Sequence, residues 1–183
     1  MTRALAVLLL SALGAGSALP AFAQPGTGRS PSEYEVKAAY LLNFIRFTRW
    51  PRAAQGPFEM CLLGADPFGP TLNSTVEAER VGGRPVTVRR LSAQDDRTSC
   101  HLLYISPSEE PRLLATLARL DGSDVLTVSD MPGFVPRNGM IQLVTEGGRV
   151  RFDANLDAAV AAGLMLSSDL LRVARNVRRA NQP

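Results

Sequence analysis

The stretch from Val125 to Asn155 constrains the fold of this chain more than any other segment. It begins with a short apolar, β-branched run, Val125–Val128, which predicts a buried strand. After a Pro-, Gly- and Asn-rich turn, the strand-like runs Met140–Thr145 and Arg149–Asp153 flank a Gly-Gly pair, and both glycines can take the positive φ of a tight hairpin turn. A buried strand followed by a hairpin predicts the interior and one edge of a mixed sheet.

Strand-like and helix-like patterns alternate along the rest of the chain. The other predicted strands are Phe58–Leu63, Pro85–Leu91 and Cys100–Ile105. The predicted helices are Glu33–Trp50, Phe68–Glu79, Ser106–Leu120, the Ala-rich turn Asn155–Ala162, and Leu164–Arg179. This order predicts an α/β fold: a three-layer sandwich in which a mixed, mostly parallel sheet has helices on both faces and a β-hairpin in its C-terminal half.

Apolar residues at helical spacing mark the predicted core-facing side of the first and last helices. In the first helix, which we expect to end at Pro51, they are Val36, Tyr40, Phe44 and Phe47. In the last helix they are Leu166, Leu170, Val173 and Val177. A different side of the last helix carries Arg172, Arg175 and Arg179, which either face solvent or anchor the protein on a partner or an anionic membrane surface.

The first 23 residues have the layout of a secretory signal peptide. Arg3 precedes the apolar run Ala4–Leu13, and Ala21–Ala23 supplies a small-x-small cleavage site. That run is too short to span a bilayer, and no later stretch is long and apolar enough to do so. We therefore expect export to the periplasm, a flexible leader at residues 24–31 and a single domain at residues 32–180.

The charge of the exported product is close to neutral. Removal of Arg3 with the signal peptide leaves 19 of the 20 basic residues against 17 acidic ones, a formal charge of +2. The chain has one lysine, Lys37, and no dense basic run. This balance gives no electrostatic reason to expect nucleic-acid binding.

Two cysteines, Cys61 and Cys100, lie in different predicted strands of this exported chain. In an oxidising compartment such a pair predicts a disulfide, which would join the strands if they are neighbours in the sheet. The alternative is two buried free thiols.

The sequence lacks the constellations that catalysis requires. Its one histidine, His101, follows a cysteine expected to be oxidised, so a Cys-His dyad is not available. A triad built on Ser129 and Asp130 would need that same histidine. No zinc, calcium, dinucleotide or phosphate-loop pattern is present, so we expect neither an enzyme nor a cofactor.

Motifs spread over the whole expected domain resemble those of the YfiR family of small periplasmic regulators. They are Tyr34–Phe44, Phe47, Trp50, Pro51, Met60–Gly64, Asp66–Gly69, Cys100–Ser106, Val125–Asp130, Gly139–Ile141, Arg151–Asn155, Ala162–Leu164, Ser167, Ser168, Leu170 and Leu171. Single motifs are weak, but together and in this order they are specific.

The resemblance implies a role in cyclic-di-GMP signalling. Proteins of this family are similar to one another in acting from the periplasm on the periplasmic region of an inner-membrane diguanylate cyclase, which they hold inactive. An outer-membrane OmpA-like lipoprotein can sequester the repressor, and the family tends to form homodimers. The resemblance also implies a bridge between Cys61 and Cys100, whereas a second cysteine pair of some members is missing here.

Candidate contact residues follow from residue type and position. Exposed aromatic residues and arginines are usual interface anchors, so the partner-binding candidates are Trp50, Pro132, Phe134, Val135, Arg172, Arg175 and Arg179. An alternative function is a periplasmic small-ligand sensor, because open α/β sheets bind ligands at the carboxyl ends of their strands. The candidate residues for that alternative are Asp66, Ser106, Ser129 and Asp130. An exported hydrolase is a third hypothesis.

Overall fold

The structure is a computed structural model that describes residues 30–51, 56–92 and 94–179. Its strands are β1 (Thr48–Arg49), β2 (Phe58–Leu63), β3 (Arg80–Val81), β4 (Arg84–Leu91), β5 (Leu102–Ile105), β6 (Leu126–Ser129), β7 (Ile141–Glu146), β8 (Arg149–Asn155), β9 (Met165–Leu166) and β10 (Asn176–Arg178). Its helices are α1 (Glu33–Arg46), α2 (Pro70–Val76), α3 (Leu113–Arg119), α4 (Leu156–Ala161) and α5 (Ser168–Val173), with a 3-10 helix at Pro107–Arg112. The predicted signal peptide and nearly all of the predicted leader lie outside the described residues.

Eight strands form the central sheet, in the order β10-β8-β7-β6-β5-β2-β4-β3. The pairs β4–β2, β2–β5, β5–β6 and β6–β7 are all parallel. The β7–β8 and β3–β4 pairs are antiparallel, and β10 runs parallel to β8. The sheet is therefore mixed and mostly parallel, as the alternation of strands and helices predicted. The two short strands β1 and β9 pair with each other in a separate antiparallel ribbon.

Alternate side chains of the strands feed two separate hydrophobic cores. On the first face of the sheet, residues such as Met60 and Tyr104 pack with α1, α2, α4 and α5. On the second face, Cys61 and Leu103 pack with α3 and with Phe134 from the turn after β6. The result is the predicted three-layer arrangement.

The hairpin prediction is confirmed. Strands β7 and β8 pair from Glu146 and Arg149 at the turn to Ile141 and Ala154 at the far end. Both glycines of the turn take positive φ, 55° at Gly147 and 73° at Gly148, which explains why this turn carries glycine at both positions.

Helix α1 begins as predicted but ends four residues early. The Ser32 side chain accepts from the Glu35 amide, and the Glu35 carboxylate accepts from the Ser32 amide, which completes a capping box. The predicted continuation to Trp50 is wrong because Thr48 and Arg49 pair with β9. The residue before a proline is also biased away from helical geometry, which favours an extended chain before Pro51.

The second predicted helix is shorter than expected at both ends. The Asp66 carboxylate accepts from the amides of Phe68 and Gly69, which holds a turn ahead of the helix. Gly69 has a φ of 55°, so α2 begins only at Pro70. At the other end, Arg80 and Val81 pair with β4 instead of extending the helix.

The predicted helix Leu164–Arg179 is wrong. The segment forms β9, then α5, then β10, which pairs with β8. Leu166 and Leu170 are buried as predicted, but Val173 is 67% exposed. The amide of Arg175 donates to the Phe152 carbonyl, so bonds to the sheet replace helical bonds after Ala174.

The predicted helix Ser106–Leu120 is divided into the 3-10 helix and α3. Pro111 lies inside this segment and cannot donate a helical hydrogen bond. Leu113 and Leu120 are buried, whereas Leu114 is 69% exposed. None of the helices in the described part of the chain is long and apolar enough to cross a bilayer.

Candidate protein-binding surface

Three large apolar side chains are exposed where α1, the β1–β9 ribbon and α5 meet. Phe47 is 41% exposed, Met165 is 58% exposed and Val173 is 67% exposed. Isolated exposed apolar residues are common on folded proteins, but a group of them at one place marks an interaction site. We call these three residues the apolar surface.

The β1–β9 ribbon fixes two members of the apolar surface. Thr48 lies opposite Leu166 and both are buried, so their neighbours along each strand point outward. Those neighbours are Phe47, which follows α1, and Met165. The Ser167 amide donates to the Phe47 carbonyl at 2.9 Å, which holds this end of the ribbon together.

A groove of about 300 Å³ opens between α1 and α5, and Phe47 and Val173 of the apolar surface line it. Its lining residues are Tyr40, Asn43, Phe47, Phe152, Asp169, Leu170 and Val173. The buried Phe152 ring, the half-buried Tyr40 ring and the exposed Val173 side chain make the groove mainly apolar. Its size suits one or two apolar side chains of a partner.

Trp50, a predicted partner-binding residue, makes several contacts within the protein. Its indole nitrogen donates to the Asp124 carbonyl at 2.8 Å. Its ring packs against Phe58 and His101, with centroids 5.5 and 5.8 Å away. The side chain is half-buried, so only part of it is available to a partner.

The turn after β6 does not expose the residues expected there. Phe134 is fully buried in the core of the second face, and Val135 is also buried, so their predicted exposure is wrong. Pro132 is exposed as predicted. The physical reason is that Gln142 accepts hydrogen bonds from the Phe134 and Val135 amides, which draws the turn down onto the sheet.

Arg172, Arg175 and Arg179 do not share a helix face, because the chain leaves α5 at Ala174. Arg172 is exposed on α5 and pairs with Asp169 at 3.2 Å. Arg175 lies between α5 and β10, where its guanidinium binds both oxygens of Asp153 at 2.8 and 2.6 Å and also binds Glu146. Arg179 follows β10 and is exposed.

The four residues of the small-ligand alternative are engaged within the chain. Asp66 accepts from two amides and pairs with Arg90 at 2.7 Å. The Ser106 hydroxyl accepts from the Ser108 amide at the start of the 3-10 helix. The Ser129 hydroxyl donates to the Ile105 carbonyl, and Asp130 is held by the contacts described next.

Sequence reasoning missed a buried polar cluster around Lys37 and Asp130. The Lys37 ammonium, on a residue only 3% exposed, lies 2.6 Å from the Asp130 carboxylate and 2.6 Å from that of Glu33. The Tyr104 hydroxyl donates to the other Asp130 oxygen at 2.5 Å, and Lys37 lies over the Tyr34 ring. A buried ammonium needs an acidic partner, and the sequence carried part of this signal, because Asp130 directly follows a run predicted to be a buried strand.

The cluster changes the ionisation of its members. Burial alone would lower the pKa of the Lys37 ammonium, but hydrogen bonds to Asp130 and Glu33 outweigh burial and raise it. Burial, together with the bond to Asp130, strongly raises the pKa of the Tyr104 hydroxyl, which therefore stays a donor. The cluster ties α1 to the carboxyl ends of β5 and β6.

The predicted disulfide is present. Cys61 of β2 and Cys100, just before β5, are bridged with their Cα atoms 5.9 Å apart, and both are buried in the core of the second face. Strands β2 and β5 are neighbours in the sheet, so the bridge joins adjacent strands as expected. Burial, then the nearby Arg84 guanidinium, lowers the pKa of the adjoining His101.

Comparison with known proteins gives a structural relative and a family. A crystal structure of a conserved domain protein from Vibrio cholerae O1 biovar El Tor is similar in fold, with a TM-score of 0.55 at 9% identity. The match covers 80% of this chain and 60% of that one, so this chain spans less than two thirds of its relative. The sequence pattern described as YfiR/HmsC-like matches residues 34–175, which extend from α1 to the residue before β10. The chain belongs to the YfiR/HmsC-like family.

Proposed function

We propose that this protein is a periplasmic regulator that binds the periplasmic region of an inner-membrane diguanylate cyclase and holds the cyclase inactive. The observation that carries the proposal is the YfiR/HmsC-like match over residues 34–175. The function is regulatory rather than enzymatic, and it is exerted through protein contacts. The predicted signal peptide would deliver the chain to the compartment where the cyclase presents its sensor region.

The apolar surface supports a protein partner. Phe47, Met165 and Val173 would each lose water-exposed area on binding, and burial of apolar area contributes about 25 cal/mol per Å². The adjacent groove can receive an apolar side chain from the partner, in the way that interface anchors fill pockets.

The mechanism follows from differential affinity. A regulator that binds the inactive cyclase more tightly than the active one shifts the population toward inactivity by the difference in binding free energy. A tenfold preference corresponds to about 1.4 kcal/mol. By the family resemblance, an outer-membrane OmpA-like lipoprotein competes for the regulator, and the regulator acts as a homodimer.

The test is a pull-down of tagged, exported protein from detergent-solubilised membranes, with the cyclase measured by mass spectrometry and by cyclic-di-GMP synthesis. We expect wild-type protein to recover a cyclase and a Phe47→Asp/Val173→Asp variant to lose most of it, because two buried charges would oppose apolar contact. Leu114→Asp is the matched control, since Leu114 is also exposed, at 69%, but lies on α3.

Recovery of the cyclase by wild type and Leu114→Asp alone would support the apolar surface as the contact. Equal recovery by all three proteins would exclude that surface. Failure of wild-type protein to recover any cyclase would contradict the proposed function itself.

A further inference from the structure

The second face of the sheet is covered over only part of its width. Helix α3 and Phe134 pack against residues of β2 and β5 there. No residue of β7, β8 or β10 belongs to the buried cluster of this face in the described part of the chain. The turn after β6 reaches Gln142 at the start of β7, where Gln142 accepts from the Phe134 amide. Beyond that point the face is open.

Arginines occupy the open part of the face. Phe152 and Ala154 of β8 belong to the core of the first face, so Arg149 and Arg151 project from the second face, and both are exposed. Arg178 of β10 reaches over the same side, because its guanidinium donates to the Val135 carbonyl at 3.1 Å. We call Arg149, Arg151, Arg175 and Arg178 the arginine face.

The acids nearby do not neutralise the arginine face. Glu146 and Asp153 lie on it, and both bind Arg175. Among the described residues, the side chains of Arg149 and Arg151 have no hydrogen-bond or ion-pair partner, and the Arg178 guanidinium bonds a neutral carbonyl. Four guanidinium groups against two carboxylates leave a local charge of +2.

The spacing of the two unpartnered arginines fits one kind of ligand. Side chains two residues apart in a strand are separated by about 6.6 to 6.8 Å along the strand. Alternate side chains of any extended peptide have the same separation. The guanidinium group binds carboxylates with two parallel hydrogen bonds. An extended segment with carboxylates at alternate positions can therefore place one on Arg149 and the next on Arg151.

We propose that the arginine face binds an extended acidic segment of a protein partner, with Arg149 and Arg151 each holding a carboxylate. This proposal rests on the proposed function, in which the chain acts through protein contacts. A lipid surface fits less well, because lipid phosphates have no fixed repeat that matches the spacing of Arg149 and Arg151 along the strand. Val144, half-buried and directly across from Arg151, adds an apolar contact for the segment.

The test measures binding of a fluorescein-labelled peptide in which glutamate and threonine alternate. A peptide of the same composition with all its glutamates at one end is the ligand control, since both carry the same charge. We expect the alternating peptide to bind about fivefold tighter and to weaken as salt rises. Arg149→Glu/Arg151→Glu should lose about tenfold in affinity. The melting temperature should fall by a few degrees at most, because both side chains are exposed and only Arg149 lies directly across from an acid, Glu146.

Arg112→Glu/Arg119→Glu is the matched protein control. Both residues are exposed, on the 3-10 helix and α3, and the change in net charge is the same. Retained binding by this control supports the arginine face. An equal loss in both variants, or binding to phosphatidylglycerol vesicles without binding to the alternating peptide, overturns the proposal.

A cellular measurement separates this proposal from the proposed function. In a strain that lacks the chromosomal gene, wild-type protein should lower cyclic-di-GMP, whereas Arg149→Glu/Arg151→Glu at equal abundance should not. Full repression by that variant would remove the arginine face from the interaction and leave the regulator role intact. A wild-type protein that fails to lower cyclic-di-GMP would instead contradict the proposed function.

Discussion

The Asp130 carboxylate forms contacts that no neutral side chain can replace. It pairs with the buried Lys37 ammonium and accepts from the Tyr104 hydroxyl. Loss of Asp130 would leave the buried Lys37 ammonium with only Glu33, whose side chain is 45% exposed and compensates a buried charge less well. The cluster therefore makes the packing of α1 against β5 and β6 depend on Asp130.

We predict that Asp130→Ala lowers the free energy of unfolding by about 3 to 5 kcal/mol, measured by urea denaturation. The double variant Lys37→Met/Asp130→Ala should be less destabilised than Asp130→Ala alone, because it removes the stranded charge as well. A loss below about 1 kcal/mol in Asp130→Ala would show that Glu33 alone compensates the Lys37 ammonium or that this group reaches water.

At the scale of elements, the disulfide is the covalent link between neighbouring strands. Cys61 and Cys100 are 39 residues apart in sequence, so the bridge closes a long loop in the unfolded chain. The chain-entropy model gives such a cross-link about 4 kcal/mol of stabilisation.

We predict that Cys61→Ser/Cys100→Ser lowers the free energy of unfolding by about 4 kcal/mol. Wild-type protein treated with a reductant should show a similar loss in the same denaturation assay, while the serine variant should not respond to the reductant. A reductant effect of equal size in both proteins would exclude the bridge as its cause.

The sequence predicted those elements whose pattern is local. The hairpin could be predicted from Gly147 and Gly148, because the geometry of a two-residue turn depends on those two residues alone. The segment after Gly163 was misread as one helix because its partners, β1 and β8, are distant in sequence. Apolar residues spaced three and four apart indicate a helix, but this local pattern carries no information about strand pairing with distant segments.

The surface was harder to predict than the core. Phe134 was expected outside because it follows a proline and a glycine, yet hydrogen bonds to Gln142 place it inside. Phe47 was expected inside because it continued a helical stripe, yet α1 ends before it. For both Phe134 and Phe47, tertiary contacts determine the path of the backbone. That path decides whether the side chain is buried or can contact a partner.

At the scale of the whole molecule, the fold places two different surfaces apart. The apolar surface lies where α1 and α5 meet on the first face, and the arginine face lies on the second face of β8 and β10. A partner that used both would have to reach around the edge strand β10. An extended acidic segment next to an apolar anchor would meet that requirement.

The regulator role is tested most directly by intracellular cyclic-di-GMP in a strain that lacks this gene. We predict that deletion raises the level several-fold, because the cyclase loses the partner that favours its inactive state, and that exported wild-type protein restores it. An unchanged level under several growth conditions would contradict the proposed regulation, whereas the disulfide and the three-layer fold would be unaffected.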